Sequence, residues 1–172
     1  TVGIVGTGRI GKMTAQKAKA FGMKVIAYDL YPDDKFAKEH DIDYVSLENL
    51  LKESDFISLH CPLIGDNRHM IGAEEIATMK PGSFLVNCAR GALVDETALY
   101  EALKAGKIAG AGIDVFQEEP PKDNPLLTLP NVLATSHLGA YTKETINAMD
   151  MLVVTACADV LLGKTPINLI KA

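Results

Sequence analysis

The chain opens with a short apolar run that leads directly into three glycines with the spacing G-x-G-x-x-G. The run covers residues 2–5, and the glycines are Gly6, Gly8 and Gly11. The first glycine permits a tight turn, the second lets the backbone approach a pyrophosphate, and the third lets a helix pack against the strand. The N–H groups at the start of such a helix favour an anion. The pattern therefore predicts a strand–turn–helix unit that binds a nucleotide.

An acidic residue stands where such a unit would hold a ribose. A second apolar run, residues 23–28, ends in Asp29, which lies 18 positions beyond Gly11 (29 − 11). A carboxylate at the end of the second strand can accept hydrogen bonds from the adenosine ribose hydroxyls, and it repels a 2′-phosphate. The sequence therefore predicts NAD as the cofactor in preference to NADP.

Apolar strands and amphipathic helices alternate along the rest of the chain, and such alternation is typical of a parallel sheet with helices on both faces. We therefore predict an α/β fold, a Rossmann-type doubly wound parallel sheet, as one domain over residues 1–172. In the first helix, Met13, Ala15, Ala18 and Phe21 are expected on the buried side. The strands are predicted at 2–5, 23–28, 43–45, 56–59, 83–87, 108–115 and 132–135, and the helices at 12–22, 35–40, 72–79 and 141–162, with two further helices capped by Ser46 and Asp95.

Composition excludes several classes of partner. The net charge of −5 gives no basis for electrostatic binding to nucleic acid, and no apolar stretch is long enough for a membrane span. Cys61, Cys88 and Cys157 are scattered without metal-ligand spacing, so we expect no metal. An odd, unpatterned set of cysteines suits a reducing cytoplasm.

Ligands of such a sheet bind outside the carboxyl ends of the strands, and three residues expected there suit the oxidation of an alcohol. His137 could take the hydroxyl proton, Glu119 could orient that histidine, and Arg90 could hold a substrate carboxylate in a two-point contact. Each also fits a structural role, as a surface ion pair for Arg90, a solvated loop acid for Glu119 and a loop histidine for His137. Spacing alone leaves both readings open.

Five segments, taken in order, resemble the D-isomer-specific 2-hydroxyacid dehydrogenases. They are residues 5–11, 58–63, 87–95, 112–120 and 136–140, and together they extend over nearly the whole chain. Phe116 and the Glu119-Pro120-Pro121 run are most similar to the phosphoglycerate and glyoxylate/hydroxypyruvate types. D-lactate dehydrogenases more often carry Tyr at the position of Phe116.

The resemblance implies a site and a reaction. Arg90 would bind the substrate, His137 would be the general acid/base and Glu119 its partner, acting on a 2-hydroxy or 2-keto acid with NAD. It further implies a homodimer formed through this domain. The implied cofactor contacts are Gly6, Gly8, Arg9, Ile10, Gly11, Asp29, Cys61, Pro62, Cys88, Ala89, Arg90, Asp114, His137, Gly139 and Ala140.

This chain departs from the family pattern in length. Family members also carry a substrate domain built from both ends of their chain, and none of its core is recognisable here. We therefore expect a fragment that binds NAD but is nearly inactive by itself. Some dinucleotide-sensing regulators and corepressors of the same fold also keep residues equivalent to Arg90, Glu119 and His137. The motifs therefore do not exclude a regulator or corepressor as the alternative function. Formate dehydrogenases carry Gln where Glu119 stands, which argues against them.

Overall fold

The structure is a computed structural model that describes residues 1–169. The chain divides into two compact units, Thr1–Ser136 and His137–Ala172. The first unit contains the sheet, and the second contains one long helix.

The first unit is built on a seven-stranded sheet in which every pair of neighbours is parallel. The strand order is β3-β2-β1-β4-β5-β6-β7. The direction of winding reverses between β1 and β4, as in doubly wound nucleotide-binding folds, and this confirms the predicted fold class. The strands are β1 (Val2–Val5), β2 (Val25–Tyr28), β3 (Asp43–Tyr44), β4 (Phe56–Leu59), β5 (Phe84–Asn87), β6 (Gly110–Ile113) and β7 (Val132–Ala134).

Helices connect these strands, and polar side chains fix where several of them begin. Ser46 accepts a hydrogen bond from the N–H of Asn49, and Asp95 caps its helix in the same manner, as predicted. Two short 3₁₀ turns, Gly91–Leu93 and Pro125–Thr128, lie in segments where no regular structure is predicted. The helices are α1 (Arg9–Ala20), α2 (Asp34–His40), α3 (Leu47–Glu53), α4 (Ala73–Thr78) and α5 (Glu96–Lys104).

Buried side chains form two clusters, one on each face of the sheet. Alternate residues of a strand point to opposite faces, so neighbouring residues of β1 join different clusters. One cluster joins Val2 and Ile4 to residues of α1 and α2, and the larger one joins Val5, Ile57 and Leu85 to residues of α3, α4 and α5. The helices therefore cover both faces, as predicted.

The first helix corrects one part of the prediction. It begins at Arg9, three residues before the predicted start, and its buried residues are Gly11, Ala15 and Ala18. Met13 is 56% exposed, because it lies two residues from Gly11 and so on the opposite side of the helix. Phe21 lies beyond the last helical residue and is 86% exposed.

The strands of the first unit end at one level. Neighbouring strands pair Tyr28 with Val5, Val5 with Leu59, and Leu59 with Asn87, and the row continues through Ile113. The segments that follow these residues therefore leave the sheet along a single edge. The residues predicted to bind ligands up to Glu119 lie in those segments.

The second unit contains α6 (Lys143–Leu161), whose start is capped by the Thr142 hydroxyl. The sequence predicts this helix at 141–162. Met149, Leu152 and Val153 of α6 are exposed. Across residues 1–169, no helix combines the length and the apolar character needed to cross a membrane.

Candidate functional site

A cavity of about 330 Å³ opens at the carboxyl ends of β1, β2 and β4. This is where the winding direction reverses, the place at which doubly wound sheets bind nucleotides. Five residues predicted to contact a cofactor line it: Gly6, Gly8, Asp29, Cys61 and Pro62. Val5, Tyr28, Leu30, Tyr31, His60, Ile64, Asn67 and Met70 complete the lining.

The three glycines of the first motif have different surroundings. Gly6 has a φ of +92°, and a Cβ there would lie 2.7 Å from the backbone nitrogen of Cys61. A Cβ on Gly11 would lie 1.9 Å from the carbonyl oxygen of Gly6, so Gly11 allows the helix to approach the strand and does not line the cavity. A Cβ on Gly8 would meet no atom within 4 Å. The space beside Gly8 is therefore open to a ligand, and the motif fits a dinucleotide phosphate.

The start of α1 is suited to an anion. Gly8 is the N-cap residue and supplies no side-chain hydrogen bond, and the first turn carries no acidic residue. The first backbone bond of the helix runs from the N–H of Lys12 to the carbonyl of Gly8. The N–H groups of Arg9, Ile10 and Gly11 precede it, at the positive end of the helix dipole. This arrangement can bind phosphate oxygens without a dedicated lysine.

The Asp29 carboxylate is held at the edge of the cavity by hydrogen bonds. Its Oδ2 accepts from the N–H of Thr7 (2.6 Å) and from the Thr7 hydroxyl (2.9 Å), and its Oδ1 accepts from the N–H of Tyr31 (2.9 Å). Burial by itself would raise the pKa of Asp29, but these bonds and the charge of Lys12 outweigh it and leave the pKa below the ordinary 3.8. The carboxylate is therefore ionised and fixed at neutral pH.

The segment after β4 supplies a neutral wall of the cavity. His60 places Nε2 2.9 Å from the hydroxyl of Ser58, and burial lowers its pKa, so the ring is neutral at pH 7. The thiol of Cys61 donates to the sulfur of Met70 at 3.6 Å, and burial raises its pKa. Neither residue brings charge to the cavity at neutral pH.

The turn after β5 carries Arg90 and is shaped by Asn87. The buried Asn87 side chain donates to the carbonyl of Arg90 and accepts from the N–H of Ala89, both at 3.0 Å. Arg90 is exposed, and its Nη1 donates to the carbonyl of Ala89 at 2.6 Å. The neighbouring Cys88 is also exposed, and partial burial together with the charge of Asp114 raises the pKa of its thiol. The turn therefore presents a guanidinium at the edge of the sheet.

The segment after β6 carries Glu119 and is packed against the Arg90 turn. The Glu119 carboxylate accepts from the N–H of Phe116 at 3.0 Å. A Cβ on Gly91 would lie 2.0 Å from the carbonyl carbon of Phe116, so the two backbones touch directly. Asp114, at the start of this segment, is buried and accepts from the Thr135 hydroxyl at 2.5 Å.

Gln117 joins the Glu119 segment to its surroundings. Its Oε1 accepts from Arg68 at 2.9 Å and lies 2.9 Å from Nε2 of His69. Its backbone N–H donates to Glu96 at 2.6 Å. Sequence reasoning missed Gln117, and it also missed Asn87 and Thr7, because nothing in their spacing marks a side chain that fixes the backbone of a neighbouring segment.

His137, Gly139 and Ala140 belong to the second unit. His137 has a φ of +57°, a left-handed conformation that histidine adopts more readily than most residues. The structure therefore gathers five of the predicted cofactor residues in one cavity, places Arg90 and Glu119 in touching segments of the first unit, and puts the predicted general base in the other unit.

Comparison with known proteins gives one matching family model. Residues 1–139 match the model described as D-isomer specific 2-hydroxyacid dehydrogenase, NAD binding domain. Among curated proteins, the D-3-phosphoglycerate dehydrogenase of Methanocaldococcus jannaschii is 50% identical over 99% of this chain and 33% of its own length. The glyoxylate reductase of Korarchaeum cryptofilum is 48% identical over 99% of this chain and 52% of its own.

A solved structure is similar over the same extent. The D-lactate dehydrogenase of Lactobacillus jensenii, solved with NAD⁺, superposes with a TM-score of 0.91 at 33% identity, covering 99% of this chain and 55% of that one. The chain thus spans about half, or less, of the length of the relatives it matches.

Proposed function

The chain belongs to the D-isomer-specific 2-hydroxyacid dehydrogenase family, matching that family's NAD-binding domain, and from this we propose that it forms the cofactor part of an NAD-dependent oxidoreductase. The proposed reaction transfers a hydride between a 2-hydroxy acid and NAD. The observation that carries the proposal is the fixed, ionised Asp29 carboxylate beside the open space at Gly8. That pairing suits a ribose next to a pyrophosphate.

In this proposal the first unit binds the pyrophosphate and the adenosine of the cofactor. The N–H groups of Arg9, Ile10 and Gly11 hold the pyrophosphate, and Asp29 accepts a hydrogen bond from the adenosine ribose. Cys61 and Pro62 line the adenosine side of the cavity. The residues proposed toward the nicotinamide are Cys88, Ala89, Arg90, Asp114, His137, Gly139 and Ala140.

The proposed chemistry uses three side chains. NAD, when bound, supplies the acceptor for the hydride. Arg90 binds the substrate carboxylate through its planar guanidinium, and the exposure of Arg90 at the sheet edge supports this role. His137 takes the hydroxyl proton of the alcohol, and Glu119 orients the imidazole. The contact of Gly91 with Phe116 supports joint positioning of Arg90 and Glu119.

Calorimetric titration of the 172-residue chain with NADH and with NADPH tests cofactor binding. We expect micromolar to sub-millimolar NADH affinity and much weaker NADPH binding. Asp29→Ala removes a hydrogen bond to a charged group, so NADH affinity should fall about 10- to 100-fold, and the preference over NADPH should narrow. Asp43→Ala, which removes an exposed carboxylate outside the cavity lining, is the control. Equal NADH affinity in both variants would contradict a ribose contact at Asp29.

The substrate and the assembly are also proposed. A panel of 2-keto acids, including glyoxylate and hydroxypyruvate, tests the substrate class in the whole protein with NADH as the other reactant. The exposed apolar residues of α6, Met149, Leu152 and Val153, support a homodimer, which sedimentation at several concentrations would detect. The free thiols of Cys61, Cys88 and Cys157 support a cytoplasmic location.

A further inference from the structure

A chain of hydroxyl groups reaches Asp29 from the edge of the sheet. The Tyr44 hydroxyl lies 2.7 Å from Oγ1 of Thr7, which in turn lies 2.9 Å from Oδ2 of Asp29. An ionised carboxylate only accepts hydrogen bonds, so the single hydroxyl proton of Thr7 points to Asp29. Tyr44 must therefore donate to Thr7. The negative charge of Asp29 therefore fixes the direction of both hydrogen bonds.

This hydroxyl relay, Tyr44–Thr7–Asp29, joins the carboxyl ends of three adjacent strands. Thr7 follows β1, Asp29 follows β2 and Tyr44 ends β3, and Tyr44 pairs with Ala27 in the sheet. Thr7 is only 5% exposed. Tyr44 is fixed by its strand pairing, Asp29 directly follows a paired strand, and the backbone N–H of Thr7 is bound to Asp29, so the relay has little freedom to rearrange.

The relay distributes the hydrogen-bonding capacity of Asp29 unequally between its two oxygens. Oδ2 accepts two bonds, both from Thr7, while Oδ1 accepts one, from the N–H of Tyr31. A carboxylate oxygen has room for about two such bonds. Oδ1 is therefore the oxygen with capacity left for a ligand in the cavity that Asp29 lines.

We propose that Thr7 and Tyr44 are positioning residues that hold Asp29 with Oδ1 open to a ribose hydroxyl, and that they thereby set the preference for NAD over NADP. The inference rests on the proposed function, in which Asp29 receives the adenosine ribose. Neither residue needs to contact the cofactor. Their effect passes through the orientation and the ionisation of Asp29.

The ionisable surroundings of Asp29 make its titration a readout of the relay. Lys12 faces it from α1, where it pairs with Asp33, and Cys61 faces it from the segment after β4. Neither Thr7→Val nor Tyr44→Phe changes any of these three residues. Loss of the Thr7 hydroxyl removes a bond to the charged form of Asp29, so the pKa of Asp29 should rise in Thr7→Val.

The test measures NADH and NADPH affinity of the 172-residue chain from pH 8 downward. Thr7→Val should weaken NADH about tenfold or more, and Tyr44→Phe about two- to tenfold. Both variants should prefer NADH over NADPH less strongly than the unaltered chain does. As the pH is lowered, the NADH affinity of Thr7→Val should begin to fall at a higher pH than that of the unaltered chain. Thr7→Ser, which keeps the hydroxyl, should restore both properties. Tyr100→Phe, a change on α5 outside the cavity lining, should alter neither.

The possible outcomes distinguish a failure of this inference from a failure of the proposed function. Suppose that the unaltered chain prefers NADH, and that Thr7→Val and Tyr44→Phe show the same ratio of NADH to NADPH affinity and the same pH dependence of NADH binding. The relay inference is then wrong and the proposed function stands. Equal weakening of both dinucleotides with an unchanged pH profile would mean that the residues act only through general stability, and it also overturns the inference. If the unaltered chain binds neither dinucleotide, both fail.

Discussion

A single methyl group at Gly91 should separate the segments that carry Arg90 and Glu119. A Cβ there would lie 2.0 Å from the carbonyl carbon of Phe116, 2.1 Å from its oxygen and 2.4 Å from the nitrogen of Gln117. All three atoms belong to the backbone, so no side-chain rotation relieves the clash. Because carbon atoms rest about 3.5–4.0 Å apart, the backbones would have to separate by more than about 1 Å.

The size of the effect follows from that separation. Overpacking a well-filled site costs about 1–3 kcal/mol, and a backbone clash on this scale belongs at the upper end, so Gly91→Ala should lower the free energy of unfolding by about 3 kcal/mol. For a chain of this length the melting temperature should fall by about 6–12 °C. Urea unfolding followed by far-ultraviolet circular dichroism measures the free energy of unfolding, and a thermal scan measures the melting temperature.

Gly112→Ala is the matched control for Gly91→Ala. Its Cβ would meet the methyl groups of Val86 at 3.8 Å, which is ordinary contact, so its free energy of unfolding should stay within about 0.5 kcal/mol of the unaltered chain. A Gly91→Ala chain as stable as this control would refute the close packing of the two segments, and with it the argument that Arg90 and Glu119 are positioned together.

Three further outcomes are expected. Gly6→Ala should lower the free energy of unfolding by about 2 kcal/mol, because φ is +92° and the new methyl would meet the nitrogen of Cys61 at 2.7 Å; an unchanged urea midpoint would contradict this. Hydrogen bonds keep the pKa of Asp29 below 3.8 despite its burial, so its carboxylate stabilises the fold above pH 3.8, and this contribution is lost as the pH falls through the lowered pKa. As the pH is lowered below 3.8, the free energy of unfolding should therefore fall less in Asp29→Asn than in the unaltered chain. The same pH dependence of this free energy in both proteins would count against a lowered pKa of Asp29. In the whole protein, His137→Gln should reduce kcat by at least about 100-fold with little change in NADH affinity, and a kcat within tenfold would point to another proton acceptor.

The sequence predicts the sheet well because its strands are apolar runs bounded by glycine, proline and helix caps. Ser46 and Asp95 identify helix starts correctly, since a capping side chain acts on a backbone only a few residues away. The prediction is wrong for Met13, because it lies two residues from Gly11 and two from Ala15, and so on the opposite side of the helix. It is wrong for Phe21 because the helix ends before it, at Ala20.

The residues that line the cavity are predictable where they follow a strand end, whereas the contacts that hold them in place are not. Asp29 is recognisable from its distance to the glycine motif and from the apolar run before it. Thr7 and Tyr44 are not, because a hydroxyl bond across 37 positions leaves no periodic trace in the sequence. The packing of Gly91 against Phe116 was equally invisible, since it depends on how β5 and β6 pair.

The common level at which the strands end separates two kinds of packing. Below the row through Val5, Leu59 and Ile113, side chains of the strands and helices fill the two clusters, and a truncation there leaves a cavity. Above the row, backbone segments meet directly, as at Gly6 against Cys61 and at Gly91 against Phe116. An added methyl group there displaces backbone atoms. The same domain is therefore sensitive to smaller side chains within its sheet and to larger ones at the ends of its strands.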